Sequence, residues 1–570
     1  MRPEDLPKTD IWQLFEKGKN YNQGTSLYSD TDRNYRMYNG NQWAGLPQAP
    51  KKSIEPIQLN IIKPIVRFKI GIINTNHYLP VFSAENFDNL EFREVANKTC
   101  ELLNKYVSRC WEKDNMDLKV RAISKHAAIN DECPVYITYD NETNMPVHEI
   151  LSKNDIYYGN ENDSDIQNQP YILIKQRKPV ATLIEMAKAE EVSEEKLKFI
   201  IGDNDTAESA GDSAKKELED MCTLVTKLYK KEGKVHFSQA TKFCTIKEDK
   251  DTGLTLYPIA HMLWEEKEGS ARGEGEVRFL IPNQLEINKT EMRRLIVAKN
   301  TAYNQKIVDI SKIQNPGAID KIGATIKING MNVDDVRKAI GYLNPAQMSP
   351  DVEKIINELI TTTRELAGAG DIATGEINPE AASGKAILAI QQASQMPITE
   401  QTLALKGTIE DFARIWMDMW KTYASKGLII NYEETDLVTG ETHLKPVKVP
   451  YTVLQTLQTT VKVDVTPKSP YDKFAQELSL ENMLKAGYFN PQKLSELEIY
   501  VDLLDDDSSM PKSKLIEAVK KIKETQQRIS QIQAQAQQLQ MRVDKFLGTQ
   551  ADIANIGKIG NEMINQAMPM

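Results

Sequence analysis

The chain has 570 residues, more than one hydrophobic core usually holds, so several subdomains are expected. With 40% hydrophobic and 27% charged residues it has the composition of a folded protein rather than a disordered one. A formal net charge of −10 argues against a tight sequence-reading DNA binder, which needs a basic excess, but leaves open a protein that lets DNA slide past.

No window of about 18 uninterrupted apolar residues is present. The closest, residues 61–73, is broken by Lys63, Pro64, Arg67 and Lys69, so no membrane association is expected. The start, Met1-Arg2-Pro3-Glu4-Asp5, lacks the apolar core of a signal peptide, and synthesis in the cytoplasm is the expectation. Cys100, Cys110, Cys133, Cys222 and Cys244 form no C-x-x-C pair and read as reduced residues.

In chain order, the first 45 residues predict a helix and then a loop that ends in Tyr38-Asn39-Gly40-Asn41-Gln42-Trp43, where Asn-Gly marks a turn. Pro80 closes a second apolar stretch. One long helix is predicted over residues 91–130, with Ala122, Ile123, His126, Ala127 and Ile129 spaced for one buried face. From Cys133 the pattern alternates as a strand does, through Val135, Ile137 and Tyr139. Short runs at 171–175, 222–229, 235–238 and 243–246 extend it into a meandering antiparallel region. A helix over 180–200 and a polar, acidic surface loop over 202–213 interrupt that region.

A helix is predicted over 283–301, followed by a compact insert with extended runs at 306–311 and 324–328 and a short helix at 333–343. A second helix begins after Pro350, where Val352, Ile355, Ile356, Leu359, Ile360, Thr363 and Leu366 recur at three- and four-residue steps. The layout is helix, small α/β knob, helix. After Ala367-Gly368-Ala369-Gly370 comes a polar loop and then a long helix from about residue 380, in which Pro397 should make a kink. Strands return at 444–453 and 459–465.

The end of the chain is helical again and rich in Gln between 512 and 547. Leu515, Ile522, Ile529, Ala536 and Val543 recur at seven-residue intervals, with Gln526, Gln533 and Gln540 between them. That narrow, half-polar seam suits helices packed beside like neighbours in a ring or bundle, and a solvated terminal helix is the alternative.

Enzymatic signatures fail in detail. Gly384-Lys385 lacks the Gly and the Ser or Thr of a phosphate loop, because Pro379 and Ala386 stand there. Gly273-Glu274-Gly275-Glu276-Val277-Arg278 stops short of a dinucleotide fingerprint. The histidines, His77, His126, His148, His236, His261 and His443, are dispersed, and no G-x-S-x-G elbow occurs. Asp505-Asp506-Asp507 reads as a solvated loop or helix start more readily than as an ion site. The expectation is a protein that is not an enzyme and has no metal or cofactor.

Four segments, in order, resemble the portal protein family of tailed bacteriophages. The first is Tyr38-Asn39-Gly40-Asn41-Gln42-Trp43, followed by Leu59-Asn60-Ile61-Ile62-Lys63-Pro64. The second is Gly273-Glu274-Gly275 leading into Pro282-Asn283-Gln284-Leu285-Glu286-Ile287-Asn288-Lys289, and the third is the helix–knob–helix itself. The fourth is Asn378-Pro379-Glu380-Ala381-Ala382-Ser383-Gly384-Lys385-Ala386-Ile387.

The resemblance implies an α+β ring subunit with helical stem, small α/β clip, mixed α/β wing and helical C-terminal crown, assembled as a homododecamer at a capsid vertex of the virion. Its divisions would be an N-terminal wing part over 1–276, stem helices over 277–302 and 351–369, and a clip over 303–350. A tunnel loop would cover 370–383, a long tunnel helix with the second wing part 384–470, and the crown, with a possible barrel extension, 471–570.

Asp371, Thr374, Glu376, Asn378 and Ser383 would belong to the tunnel loop, and Arg337 and Lys338 to the clip's docking surface. The implied partners are double-stranded DNA passing without sequence specificity, the terminase large subunit, head–tail adaptor proteins, and the major capsid and scaffolding proteins. Another structural component of the head–tail connector is the alternative. Residues 277–350 hold eleven Lys and Arg against six Asp and Glu. Lys289, Arg293, Arg294 and Lys299 are therefore candidates for loose phosphate contacts in the stem. A solvated helix face, salt-bridged to Glu286 and Glu291, is the alternative reading of the same four cations.

Overall fold

A computed structural model describes residues 7–44, 57–85, 90–203, 220–302, 306–319, 321–329, 340–343, 349, 351–370, 396–435 and 442–467, with isolated residues between 479 and 528. The chain divides into two units, Met1–Thr466 and Pro467–Met570. Nearly all the described elements lie in the first, and the fold is a mixed α/β one with several small sheets. The Gln-rich helix and the crown expected from 471 on fall almost wholly outside the described residues, as do residues 204–213 of the loop expected over 202–213.

Two helices rather than one open the chain, α1 (Asp10–Gly24) and α2 (Leu27–Asn39), because Ser26 takes a left-handed conformation between them. Thr9 starts α1 by accepting the Trp12 amide at 3.3 Å. The expected Asn39-Gly40 turn ends α2, with Gly40 at φ 99°. Next come α3 (Ile62–Ile73) and β1 (Asn76–Ala84). Pro80 lies inside β1 instead of closing it. A missing N–H is tolerated there because, among the described residues, β1 pairs with β14 (Thr459–Pro467) alone.

The single helix expected over 91–130 is two, α4 (Leu90–Lys113) and α5 (Met116–Asn130). Asn115 breaks it by adopting φ 51°, a region Asn visits more readily than most residues. β2 (Glu132–Asp140) then pairs antiparallel with β3 (Met145–Ile150) and with β9 (Ile259–Leu263) in the order β3-β2-β9.

A five-stranded antiparallel meander follows: β4 (Ile156–Tyr158), β5 (Tyr171–Pro179), β6 (Met221–Lys231), β7 (Lys234–Ala240) and β8 (Thr245–Asp251). Alternation along β6 decides what covers each face. Val225 packs with Trp12 and Phe15 of α1, whereas Cys222 and Leu224 pack with Leu183 and Ala187 of α6 (Val180–Ala189) and Leu197 of α7 (Glu194–Leu197). The helix expected over 180–200 is divided here because Glu191 takes φ 57°.

α8 (Glu276–Ala302) starts seven residues earlier than its apolar spacing predicts and carries Pro282 within it. Its partner α9 (Asp351–Leu366) packs against it. Between them β10 (Lys306–Val308) pairs antiparallel with β11 (Ile340–Tyr342). Residues 340–342 are thus a strand, not the end of a helix, since the 306–308 ladder satisfies their backbone groups. Residues 333–339 of that expected helix lie outside the described ones.

Pro397 sits in a 3-10 turn, Met396–Ile398, that opens α10 (Thr399–Tyr423). It precedes this helix instead of kinking it, as a residue without an N–H does best at a helix start. β12 (Leu428–Thr435), which the sequence pattern missed, forms a hairpin with β13 (Thr442–Val449). Pro450 ends β13 and leads into α11 (Tyr451–Thr456), so residues 451–453 are helical instead of extended.

The main core gathers Phe412, Trp416 and Trp420 of α10 with Phe82, Trp264 and Leu103. Within it, Trp416 Nε1 donates to His148 Nε2 at 2.9 Å, which assigns the remaining ring proton to Nδ1, 2.7 Å from Asp114 Oδ2. Burial holds His148 below the ordinary histidine range. All five cysteines are buried and free.

Candidate nucleic-acid interface

The root of α8 is fixed by polar side chains in a buried setting, where each must find a partner. Gln284 Oε1 accepts the Ile61 amide at 2.9 Å while its Nε2 donates to Leu59 O at 2.7 Å. Asn288, one turn further, accepts the Leu59 amide at 3.1 Å and donates from Nδ2 to Gln42 Oε1 at 2.6 Å. Gln42 in turn donates to Met37 O at 3.0 Å, and Asn60 Nδ2 to Tyr38 O at 3.0 Å. The first two sequence signatures therefore meet in space, although more than 200 residues separate them.

The glycines before α8 are required by close approach. A Cβ on Gly273 would stand 2.7 Å from Asp131 O and 2.9 Å from Glu265 O, and one on Gly275 would stand 2.8 Å from Asp131 N. The Gly275 amide donates to Asp131 Oδ1 at 2.8 Å, and Lys153 neutralises the other carboxylate oxygen of Asp131. Glu276, the first residue of α8, is buried with Lys69 of α3 at 2.7 Å and accepts Trp264 Nε1 at 3.3 Å. The segment that stops short of a dinucleotide fingerprint is a packed collar around Asp131.

Arg272 completes the collar. It bonds Glu132 at 2.5 Å and Glu161 at 2.9 Å, donates to Ile156 O at 3.1 Å, and lies 4.5 Å from the Tyr158 ring centroid. Burial pushes Glu132 up, but Arg272, then His261 and Lys153, outweigh it and hold the carboxyl down to about 2. Arg272 stays charged for the same reason: Glu132 and Glu161 overcome the cost of burial. Glu265 shows the reverse. Burial first, then Glu276 and Glu400, raise it above the ordinary carboxylate range.

Away from this root α8 becomes exposed. Asn283 Nδ2 donates to Thr363 Oγ1 at 3.0 Å and ties α8 to α9. Lys289 and Arg293 reach Glu286 at 3.9 and 3.4 Å, and Arg294 reaches Glu291 at 3.4 Å. These exposed pairs are the salt-bridged helix face, worth little in stability because solvent screens them. Lys299 is exposed one turn from the end of α8.

In the insert, Ile313 is buried and bridges to Ile328, while Asn315 accepts the Lys327 amide and donates to Thr325 O, both at 2.8 Å. Asp371, Thr374, Glu376, Asn378 and Ser383, and Arg337 and Lys338, lie outside the described residues. Among the described residues, no cluster of His, Cys, Asp and Glu is arranged to hold a metal, and no helix is long and apolar enough to cross a membrane.

A model of the phage P22-like portal protein family matches residues 142–557, more than half of the chain. No curated protein matches it.

Proposed function

The chain belongs to the phage P22-like portal protein family, and on that premise we propose that copies of it close into a dodecameric ring at one capsid vertex. The family places the chain among structural components of the virion. In our reading the ring is the channel through which double-stranded DNA enters during packaging and leaves at ejection. α8 and α9 form the stem, residues 303–350 the clip, and residues 370–383 the loop that meets DNA in the channel. The strand-rich parts to either side are the wing, and residues from 471 on are the crown.

The observation that carries this reading is the anchoring of α8. One end is clamped by Gln284, Asn288 and the Asp131 collar, while the other projects with α9 and ends in a small knob. Such a rigid strut suits a wall that must hold its diameter while a stiff duplex moves past. The pairing of Lys289, Arg293 and Arg294 with carboxylates supports contact that is loose and blind to sequence. The motor activity then resides in a separate terminase that docks on the clip and is later replaced by head–tail adaptors. The major capsid and scaffolding proteins surround the wing.

Capsids assembled with and without this chain, and challenged with terminase, ATP and DNA, test the reading. DNA protected from nuclease only in capsids that contain the chain is the expected result. Equal protection without it contradicts the assignment.

A further inference from the structure

Tyr38 is buried at the end of α2, and two lysines from different helices converge on its ring: Lys63 of α3 at 5.6 Å and Lys125 of α5 at 5.9 Å from the centroid. One turn from each stands an exposed arginine, Arg67 on α3 and Arg121 on α5. The two helices pack together.

The charges of these helices are otherwise matched. α3 has no acidic residue, and its third cation, Lys69, is neutralised by Glu276. On α5, Lys119 pairs with Asp114 at 2.5 Å, and Asp117, the helix's one acid, is engaged by Trp111 Nε1 at 2.8 Å and His77 at 3.1 Å. On neighbouring α2, Arg33 and Arg36 pair with Asp30 and Asp32. Lys63, Arg67, Arg121 and Lys125 are left with no carboxylate partner among the described residues. The α8 cations differ, because Lys289, Arg293 and Arg294 have Glu286 and Glu291.

We infer that Lys63, Arg67, Arg121 and Lys125 form a second nucleic-acid contact, a surface for the phosphodiester backbone of double-stranded DNA that lies off α8. What sets these four apart from other unpaired surface cations is their grouping on two packed helices around one aromatic ring, a local basic site on an acidic protein that suits an external polyanion. Two of them are prepositioned by Tyr38, since a cation over an aromatic face keeps its remaining donors free for solvent or a ligand. On each helix the i, i+4 spacing sets the pair about 6 Å apart along the axis. A duplex carries a charge about every 1.7 Å of its length, so such a pair finds phosphates in any register and reads no sequence. This inference rests on the reading that duplex DNA passes through or along this protein.

The test is duplex binding by the full-length assembled protein, titrated with salt. It compares wild type, Lys63→Gln/Arg67→Gln/Arg121→Gln/Lys125→Gln, and a charge-matched control that changes the exposed Lys188, Lys196, Lys198 and Lys231 to Gln. The patch variant should lose at least about tenfold in affinity near 0.1 M salt and lower the log–log salt slope by about 3.6, at roughly 0.9 for each of four phosphate contacts, while the control keeps the slope. A patch variant that binds with the control's slope overturns the inference. So does loss of ring assembly with DNA binding unchanged, which would place the cations against an acidic protein surface instead. A protein that forms no ring, alone or with capsid partners, but still shows the slope change would sink the ring reading and leave this surface standing.

Discussion

Asn288 of α8 donates a hydrogen bond of 2.6 Å to Gln42, 246 residues earlier in the chain, and both side chains are buried. This bond joins the helix assigned to the stem to the turn that follows α2, and Gln284 adds a second tie one turn away. Asn288→Ala and Gln42→Ala should each destabilise the subunit by about 1–3 kcal/mol, because each leaves a buried polar group unpaired. Denaturant titration of the two single variants and the double variant checks this. The double variant should cost less than the sum of the singles, and strict additivity would mean the two residues are not coupled.

Lys69 and Glu276 fix the first turn of α8 from the other side. Lys69→Met strands a buried carboxylate and should cost about 3–5 kcal/mol. Adding Glu276→Gln, which keeps an acceptor for Trp264, should recover part of that loss. A double variant less stable than Lys69→Met would show that the charge pair is not what holds the turn.

Glu132 makes the collar acid-sensitive. Its carboxyl is held down to about 2 in the folded chain, below the usual value of an unfolded glutamate. A depressed acid contributes stability above its unfolded pKa and loses it as pH falls through the folded one. The contribution, on the order of 3 kcal/mol, should therefore be present near neutrality and disappear between about pH 4.5 and pH 2. The slope of unfolding free energy across that window measures it, and Glu132→Gln should flatten the slope.

Shortening the proposed channel loop should separate assembly from transport. Deletion within residues 371–383 should leave rings intact and impair DNA packaging or retention, and loss of rings would remove the loop from the channel. Charge reversal at Arg337 and Lys338 should weaken terminase or adaptor docking more than folding. Pull-down on folded rings checks that.

Much of this arrangement was legible in the sequence. The two helices that flank the insert, the antiparallel meander and the Asn39-Gly40 turn follow from periodicity and turn chemistry. The errors cluster where backbone conformation departs from pattern. Asn115 and Glu191 take positive φ inside segments that read as continuous helix. Residues 340–342 are extended because a distant strand pairs with them, and β12 is set by its hairpin partner.

The cations of α8 were visible as a basic excess, but their carboxylate partners dominate their surroundings. The ties between Gln42, Asn288 and Gln284, and the Lys69–Glu276 pair, were hidden because uncharged polar residues and single charges carry no periodic signal. The one trace was that Gln42, Asn60, Gln284 and Asn288 all stand inside the segments that carry the family resemblance.

Electron microscopy of the purified full-length protein, with particle symmetry and mass determined together, tests the central claim most directly. The account predicts a closed twelve-fold ring with a central opening wide enough for duplex DNA. A stable twofold dimer that forms no ring, alone or with capsid partners, would contradict it.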